Sequence, residues 1–147
     1  MTSTVGPQLG QLGMVTNAKW AGIKGDSYED IVVVGKYMGI KIFINENGKL
    51  IDKSDNFLNN PHFSWWNTIE VSNLDSDGDM DFIAWNLGTN NQMKPSLERP
   101  VVLRYADYDG NGFVDPKLFY YIQGKSFPFA SRDELIVQLP MLKRVLL

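Results

Sequence analysis

Two nine-residue windows constrain this chain more than any other feature. Asn73-Leu-Asp-Ser-Asp-Gly-Asp-Met-Asp81 and Asp107-Tyr-Asp-Gly-Asn-Gly-Phe-Val-Asp115 both place Asp or Asn at positions 1, 3, 5 and 9, with glycine at position 6. Each window is bounded by short runs rich in β-branched and aromatic residues. Thr68–Val71 and Phe82–Trp85 flank the first, and Val101–Tyr105 and Leu118–Ile122 flank the second. Runs of this length and composition read as strands, and Asp-Asn-Gly clusters between them read as tight loops. The repeated unit is therefore strand–loop–strand, and the predicted fold class is all-β with antiparallel sheets.

The loops have the chemistry of a hard-cation site. Calcium takes about six to eight oxygen ligands at roughly 2.3–2.6 Å, and a short loop supplies them when carboxylates alternate and a glycine lets the chain fold back. Asn73, Asp75 and Asp77 supply the first three side chains in one window, Asp79 a backbone carbonyl and Asp81 the closing carboxylate. In the other window Asp107, Asp109 and Asn111 supply the side chains, Phe113 the carbonyl and Asp115 the closing carboxylate. Neither window is an EF-hand, which needs a glutamate at position 12. Those positions are Ala84 and Leu118, inside the following apolar runs. The competing reading is a plain turn, since Asp, Asn and Gly all favour turns. An unliganded turn gains nothing from carboxylates that repel one another. Magnesium fits less well, because it keeps its own waters and demands octahedral geometry. Two structural calcium sites are the expectation.

Gly22–Asp30 stands where an earlier copy belongs. It keeps Asp26 and Asp30 at positions 5 and 9 but has Gly22 and Lys24 at positions 1 and 3. No metal is expected there, and Lys24 stands in for the missing cation charge.

Composition enters through these acids. Seven of the 17 Asp and Glu lie in the two windows, and the net charge is −3. The chain offers no general attraction for nucleic acid. Cysteine is absent, which excludes disulfides and thiolate chemistry. No apolar run is long enough for a membrane span. The start Met1-Thr-Ser-Thr lacks the basic and apolar regions of a signal peptide, so an internal piece of an exported protein is the favoured reading.

Along the chain, residues 1–13 read as a flexible lead-in. Residues 14–65 form a first four-stranded blade, a meander over 14–53 with a turn at Asn45–Gly48 and a degenerate loop. Residues 66–130 hold a second blade with both acidic loops. Asp30 and Asp81 are 51 residues apart, about one blade, but Asp81 and Asp115 only 34. The last loop either opens a third blade or joins strands within the second. In residues 131–147 Ser131 and Glu134 match a capping box, Leu135, Leu139 and Leu142 recur at helical spacing, and Pro140 should end or kink the helix. Trp20 and Trp85 read as core, as does one of the adjacent Trp65 and Trp66. His62, the single histidine, has no second base near it, and Ser131 with Asp133 is explained by capping. No catalytic residue is assigned.

These windows resemble the FG-GAP/VCBS repeat family, whose calcium loops occur in integrin-type β-propellers. They match its Asp-x-Asp/Asn-x-Asp/Asn-Gly-x-x-Asp core, with Asn73 in place of the first Asp. Gly13–Thr16, Ser64–Asn67, Asn86–Gly88 and Gly124–Leu139 also resemble secreted bacterial repeat proteins. The resemblance implies a propeller of about seven blades, export, and calcium in the blade loops. This chain then amounts to a partial β-propeller of two to three antiparallel blades with a short C-terminal helix. The implied function is a calcium-stabilised extracellular or cell-surface module that binds a protein or polysaccharide. The alternatives are a portion of a polysaccharide lyase or hydrolase, or a fragment with no function of its own. Open blade edges would favour self-association into a homo-oligomer.

Overall fold

The computed structural model describes residues 2–88 and 90–146. Among them, two compact units are separated after Gly88. In the first, strands β1 (Met14–Ala21), β2 (Asp30–Met38), β3 (Lys41–Glu46) and β4 (Lys49–Asp52) pair in succession, all antiparallel. This is the meander expected over residues 14–53. Its tightest turn is Asn47-Gly48, where φ is 54° and 86°. Two successive left-handed residues define the type I′ turn that matches strand twist, and Asn-Gly suits it best. Strands β5 (Ser64–Ser72) and β6 (Asp81–Asn86) form a second hairpin.

The run Asp30-Ile-Val-Val-Val-Gly35 has no polar alternation because β2 is covered on both faces. Val32 and Val34 join Ile40, Ile42, Ile44 and Ile69 in one core, against which Trp66, Phe82 and Ala84 pack. Ile31 and Val33 point the other way and join Met38, Phe43 and Leu50. That second face is covered by Leu9 and Leu12. Residues 1–13 thus differ from the flexible lead-in expected of them. They contain helix α1 (Thr2–Val5) and a 3₁₀ turn over Pro7–Gln11, and Gln8 Oε1 accepts from the Asp52 amide at 3.2 Å. An apolar sheet face otherwise open to water supplies the reason.

Strands β1 and β5 are tied by side chains. Thr16 Oγ1 donates to the Trp66 carbonyl at 2.9 Å, Asn17 Nδ2 to Thr68 Oγ1 at 2.7 Å, and Lys19 pairs with Glu70 at 2.8 Å. The Trp65–Trp66 pair divides as adjacent strand residues must. Trp66 packs on the first core and donates through Nε1 to the His62 carbonyl. Trp65 meets the Tyr37 ring at 5.3 Å, with Lys36 Nζ 4.9 Å from its own ring centre. Trp20 and Trp85 are not core; they are 58% and 46% exposed. Trp85 and Ile83 alternate with Phe82 and Ala84, so they take the face turned away from the core. Trp20 lies opposite Ile31 on the second face, and there Leu9 and Leu12 are the partly buried apolar residues packed on the core.

Gly35 marks the closest approach of β1 to β2. A Cβ there would stand 2.3 Å from the Met14 carbonyl oxygen and 2.6 Å from Met38 Sδ. Backbone cannot yield as a flexible side chain can, so Gly35→Ala should cost ~3 kcal/mol in urea unfolding, at the upper end of overpacking effects. An unchanged midpoint would show that β1 shifts freely.

The far end of β3 and β4 is closed by a polar knot next to helix α2 (Ser54–Phe57). Asp52 accepts from Lys41 Nζ at 2.7 Å and from the Ser54 amide at 3.0 Å, while Ser54 Oγ accepts from the Ile42 amide. Partial burial pushes the Asp52 carboxyl up, but hydrogen bonds from Lys41 and Ser54 and the Lys41 charge outweigh it and leave it below the ordinary range. A depressed carboxyl stabilises the fold above its unfolded value of about 3.9, and the contribution is lost as pH falls through the folded value. Acid unfolding of Asp52→Asn should therefore show a shallower loss of stability below about pH 4 than wild type. Superimposable acid limbs would contradict this.

In the second unit, β7 (Val102–Ala106), β8 (Asp115–Ile122) and β9 (Lys125–Pro128) form their own antiparallel sheet in the order β7-β8-β9. The β8–β9 turn is again two left-handed residues, Gln123 and Gly124. Helix α3 (Arg132–Gln138) begins with the expected capping box. The Ser131 amide donates to Glu134 Oε2 at 2.7 Å, and the Glu134 amide to Ser131 Oγ at 3.3 Å. Pro140 ends α3, and a 3₁₀ turn leads into α4 (Lys143–Leu146). The expected boundary at 65/66 falls inside β5, which begins at Ser64. The 66–130 segment is divided, since β5 and β6 belong to the first unit and β7–β9 to the second. Hydrophobic runs alone could not reveal this, because β6 and β7 look equally able to pair.

Candidate metal centre

The three acidic loops occupy equivalent places. Each follows the first strand of a hairpin, and the residue before the loop pairs with its closing aspartate: Ala21 with Asp30, Ser72 with Asp81, Ala106 with Asp115. Each closing aspartate is the first residue of the next strand. The Gly22–Asp30 and Asn73–Asp81 loops lie within one six-stranded sheet, in which β5 pairs with β2, whereas the Asp107–Asp115 loop joins the first two strands of the separate β7-β8-β9 sheet.

A carboxylate from the closing residue pins every loop. Asp81 Oδ2 accepts from the Leu74 amide at 2.9 Å, and Asp115 Oδ2 from the Tyr108 amide at 3.1 Å. Asp30 does the same for the Lys24 amide at 2.9 Å but also accepts from the Asn45 amide of β3 at 2.8 Å. Asp30 is fully buried and has both oxygens engaged with backbone. Its counterparts each keep one oxygen for another partner.

In the last loop, carboxylates converge. Oxygens of Asp107, Asp109 and Asp115 lie within 4.8 Å of one another. Two oxygens bound to one calcium at about 2.3–2.6 Å are at most about 5 Å apart, so these three fit a single ion. Asn111 bends over the same centre: its Oδ1 accepts from the Phe113 amide at 2.8 Å and its Nδ2 donates to Asp109 at 3.0 Å. Asp107 folds the loop as well as facing the centre. It accepts from the amides of Gly110, Asn111 and Gly112 at 2.7, 3.0 and 2.9 Å. Those bonds, the Gly112 amide foremost, hold its carboxyl below the usual range.

The Asn73–Asp81 loop has the same frame but is less gathered, and among the described residues no three of its carboxylates meet at that distance. Asn73 Oδ1 accepts from Ser76, Asp75 from Asp77 and Asp77 from Asp79. Its charges are crowded nonetheless. The Asp79 backbone amide and side chain hold the Asp77 carboxyl down, while the bond to Asp77 and the charges of Asp77, Asp81 and Asp75 push Asp79 up. A cation would relieve that crowding. In the degenerate loop the relief is internal, because Lys24 Nζ lies 3.1 Å from Asp26.

Position 4 matters as much as position 6, which the sequence reading missed. Gly25, Ser76 and Gly110 all take left-handed conformations, with φ of 71°, 66° and 73°. Superimposing the three windows reveals it, since two of the three carry glycine there. Ser76 holds strain that glycine would not, at about 1–3 kcal/mol for such residues. Offset by the extra freedom glycine gives the unfolded chain, Ser76→Gly should stabilise by roughly 0.5–1 kcal/mol in thermal melts. A destabilised variant would mean that the Ser76 side chain holds the loop.

Residues 23–84 match the FG-GAP-like repeat family, and this segment is an FG-GAP-like repeat. The match begins inside the degenerate loop and ends within β6, so it contains the whole Asn73–Asp81 loop and all but the first residue of Gly22–Asp30. No curated protein and no solved structure matches the chain. With antiparallel sheets and a short C-terminal helix, the architecture is consistent with a partial β-propeller of this family. Repeats of this family are generally non-catalytic binding modules. Among the described residues no helix is long and apolar enough to cross a membrane.

Proposed function

We propose that this chain is a calcium-stabilised binding module of an extracellular protein, with structural ions held in the Asn73–Asp81 and Asp107–Asp115 loops. The convergence of Asp107, Asp109 and Asp115 oxygens within 4.8 Å carries this reading. In the first loop Asn73, Asp75, Asp77 and Asp81 would bind through side chains and Asp79 through its carbonyl. In the second, Asp107, Asp109, Asn111 and Asp115 would bind through side chains and Phe113 through its carbonyl. The ion would neutralise clustered carboxylates and fix each hairpin turn, leaving the repeat surface to hold a protein or polysaccharide partner. Millimolar calcium outside cells suits loops of this charge, whose Kd falls at about 10⁻⁴–10⁻³ M in extracellular modules.

Scanning calorimetry in calcium, in magnesium and in EDTA tests the proposal. A calcium-specific rise in Tm supports it. Identical melting in all three buffers would reduce both windows to simple turns.

A further inference from the structure

The second unit contains a charged group that the acidic loops do not use. Lys117 of β8 is 8% exposed. Its ammonium donates to Gln138 Oε1 of α3 at 2.6 Å, and no carboxylate of a described residue lies within ion-pairing distance of it. An ammonium has three N–H donors, so the neutral amide satisfies one. A buried cation without an anion is unfavourable. Arg104 lies directly across the strand pair from Lys117 and adds to the positive potential rather than offsetting it.

Beside this pair is a half-open pocket of about 150 Å³, lined by Lys117 and Gln138 and by Leu118, Pro128, Phe129 and Leu135. The pocket is open to solvent on one side, and its volume is that of a benzene-sized group. Because Gln138 Oε1 is occupied by Lys117, what the pair still offers is donors: the remaining ammonium N–H groups and the Gln138 NH₂. Donors and positive charge at one side, with apolar walls elsewhere, select a compact molecule carrying one anionic oxygen pair. Inorganic phosphate would leave the apolar walls unfilled, and a neutral hydrocarbon would leave the ammonium unpaired.

We propose that this cavity binds a small carboxylic acid with an aromatic or branched aliphatic body, its carboxylate paired with Lys117 and accepting from Gln138. The test is amide chemical-shift titration of the full chain with benzoate, benzyl alcohol and inorganic phosphate, run with and without calcium. Benzoate should shift Lys117, Leu118, Phe129 and Gln138 and bind at least about tenfold tighter than benzyl alcohol, a difference of ~1.4 kcal/mol. Lys117→Met should abolish that preference. Ala130→Leu, which adds volume to the cavity lining, should block all binding while leaving Tm near wild type, and it carries the test should Lys117→Met fail to fold. Equal affinity for benzoate and benzyl alcohol, or no shift with either at about 100 times the protein concentration, would reduce Lys117 to a latch holding α3 on the sheet. So would retention of the benzoate preference in Lys117→Met.

Discussion

Asp30→Ala should be among the most damaging single substitutions in the first unit, lowering stability by ~3–5 kcal/mol. The carboxylate is fully buried and accepts from two backbone amides, those of Lys24 and Asn45. Alanine strands both donors where water cannot readily replace the acceptor, at about 1–3 kcal/mol each. It also unties the first loop from β3, because Asn45 is the β3 residue that Asp30 reaches. A loss of this size lowers Tm by roughly 10 °C or more in a chain of this length. Asp30→Asn keeps one acceptor and should lose about half as much. The loss should be the same in calcium and in EDTA, since neither oxygen is left to face an ion. A variant melting within about 2 °C of wild type, less than ~1 kcal/mol at this size, would show that water enters and replaces the carboxylate.

Asp30 also shows where the sequence stopped being legible. Read along the chain, Gly22–Asp30 is a copy of the acidic window with Gly22 and Lys24 at two of its acidic positions. Read in the fold, its closing aspartate has become a buried pin, and Lys24 has become the partner of Asp26. The ion pair was accessible to charge counting; the second bond to Asn45 was not, because it depends on how β3 comes back beside β2. The β2 run was legible for the opposite reason, since six consecutive buried positions, five of them apolar or glycine, leave no polar alternation to misread. Residues 1–13 concealed their role. Their Gly, Pro and Gln content describes a loop, and only an uncovered face of Ile31, Val33 and Phe43 explains why Leu9 and Leu12 settle on it. Trp20 and Trp85 misled through size, because a large aromatic on a strand is buried only where something packs on its face. The loops themselves were readable as strand–loop–strand turns closed by Asp81 and Asp115, since the spacing of Asp, Asn and Gly is a local property of the chain. Whether their carboxylates converge was not, and the two loops differ in that respect.

That difference should shape the response to the proposed calcium ions. At calcium near 100 times Kd, each occupied site should add ~2.7 kcal/mol, and Tm should rise by roughly 5–15 °C. The Asp107–Asp115 loop should bind more tightly, because its carboxylates already stand within 4.8 Å of one another and little ordering remains to be done on binding. Asp109→Ala removes a ligand and one backbone contact, the Asn111 amide at 3.1 Å. It should therefore melt near wild type in EDTA and lose the part of the calcium gain that belongs to the second unit. Asp107→Ala should be worse in both buffers, since the same carboxylate folds the loop through Gly110, Asn111 and Gly112. Asp77→Ala should behave differently again. In EDTA it relieves the crowding with Asp79, so its melting should match or exceed wild type, yet its calcium gain in the first unit should vanish. Combining Asp77→Ala with Asp109→Ala should leave Tm the same in calcium and EDTA. A double variant that kept the full calcium gain would place the ion elsewhere on the molecule, and the acidic windows would then be turns whose charge serves only solubility.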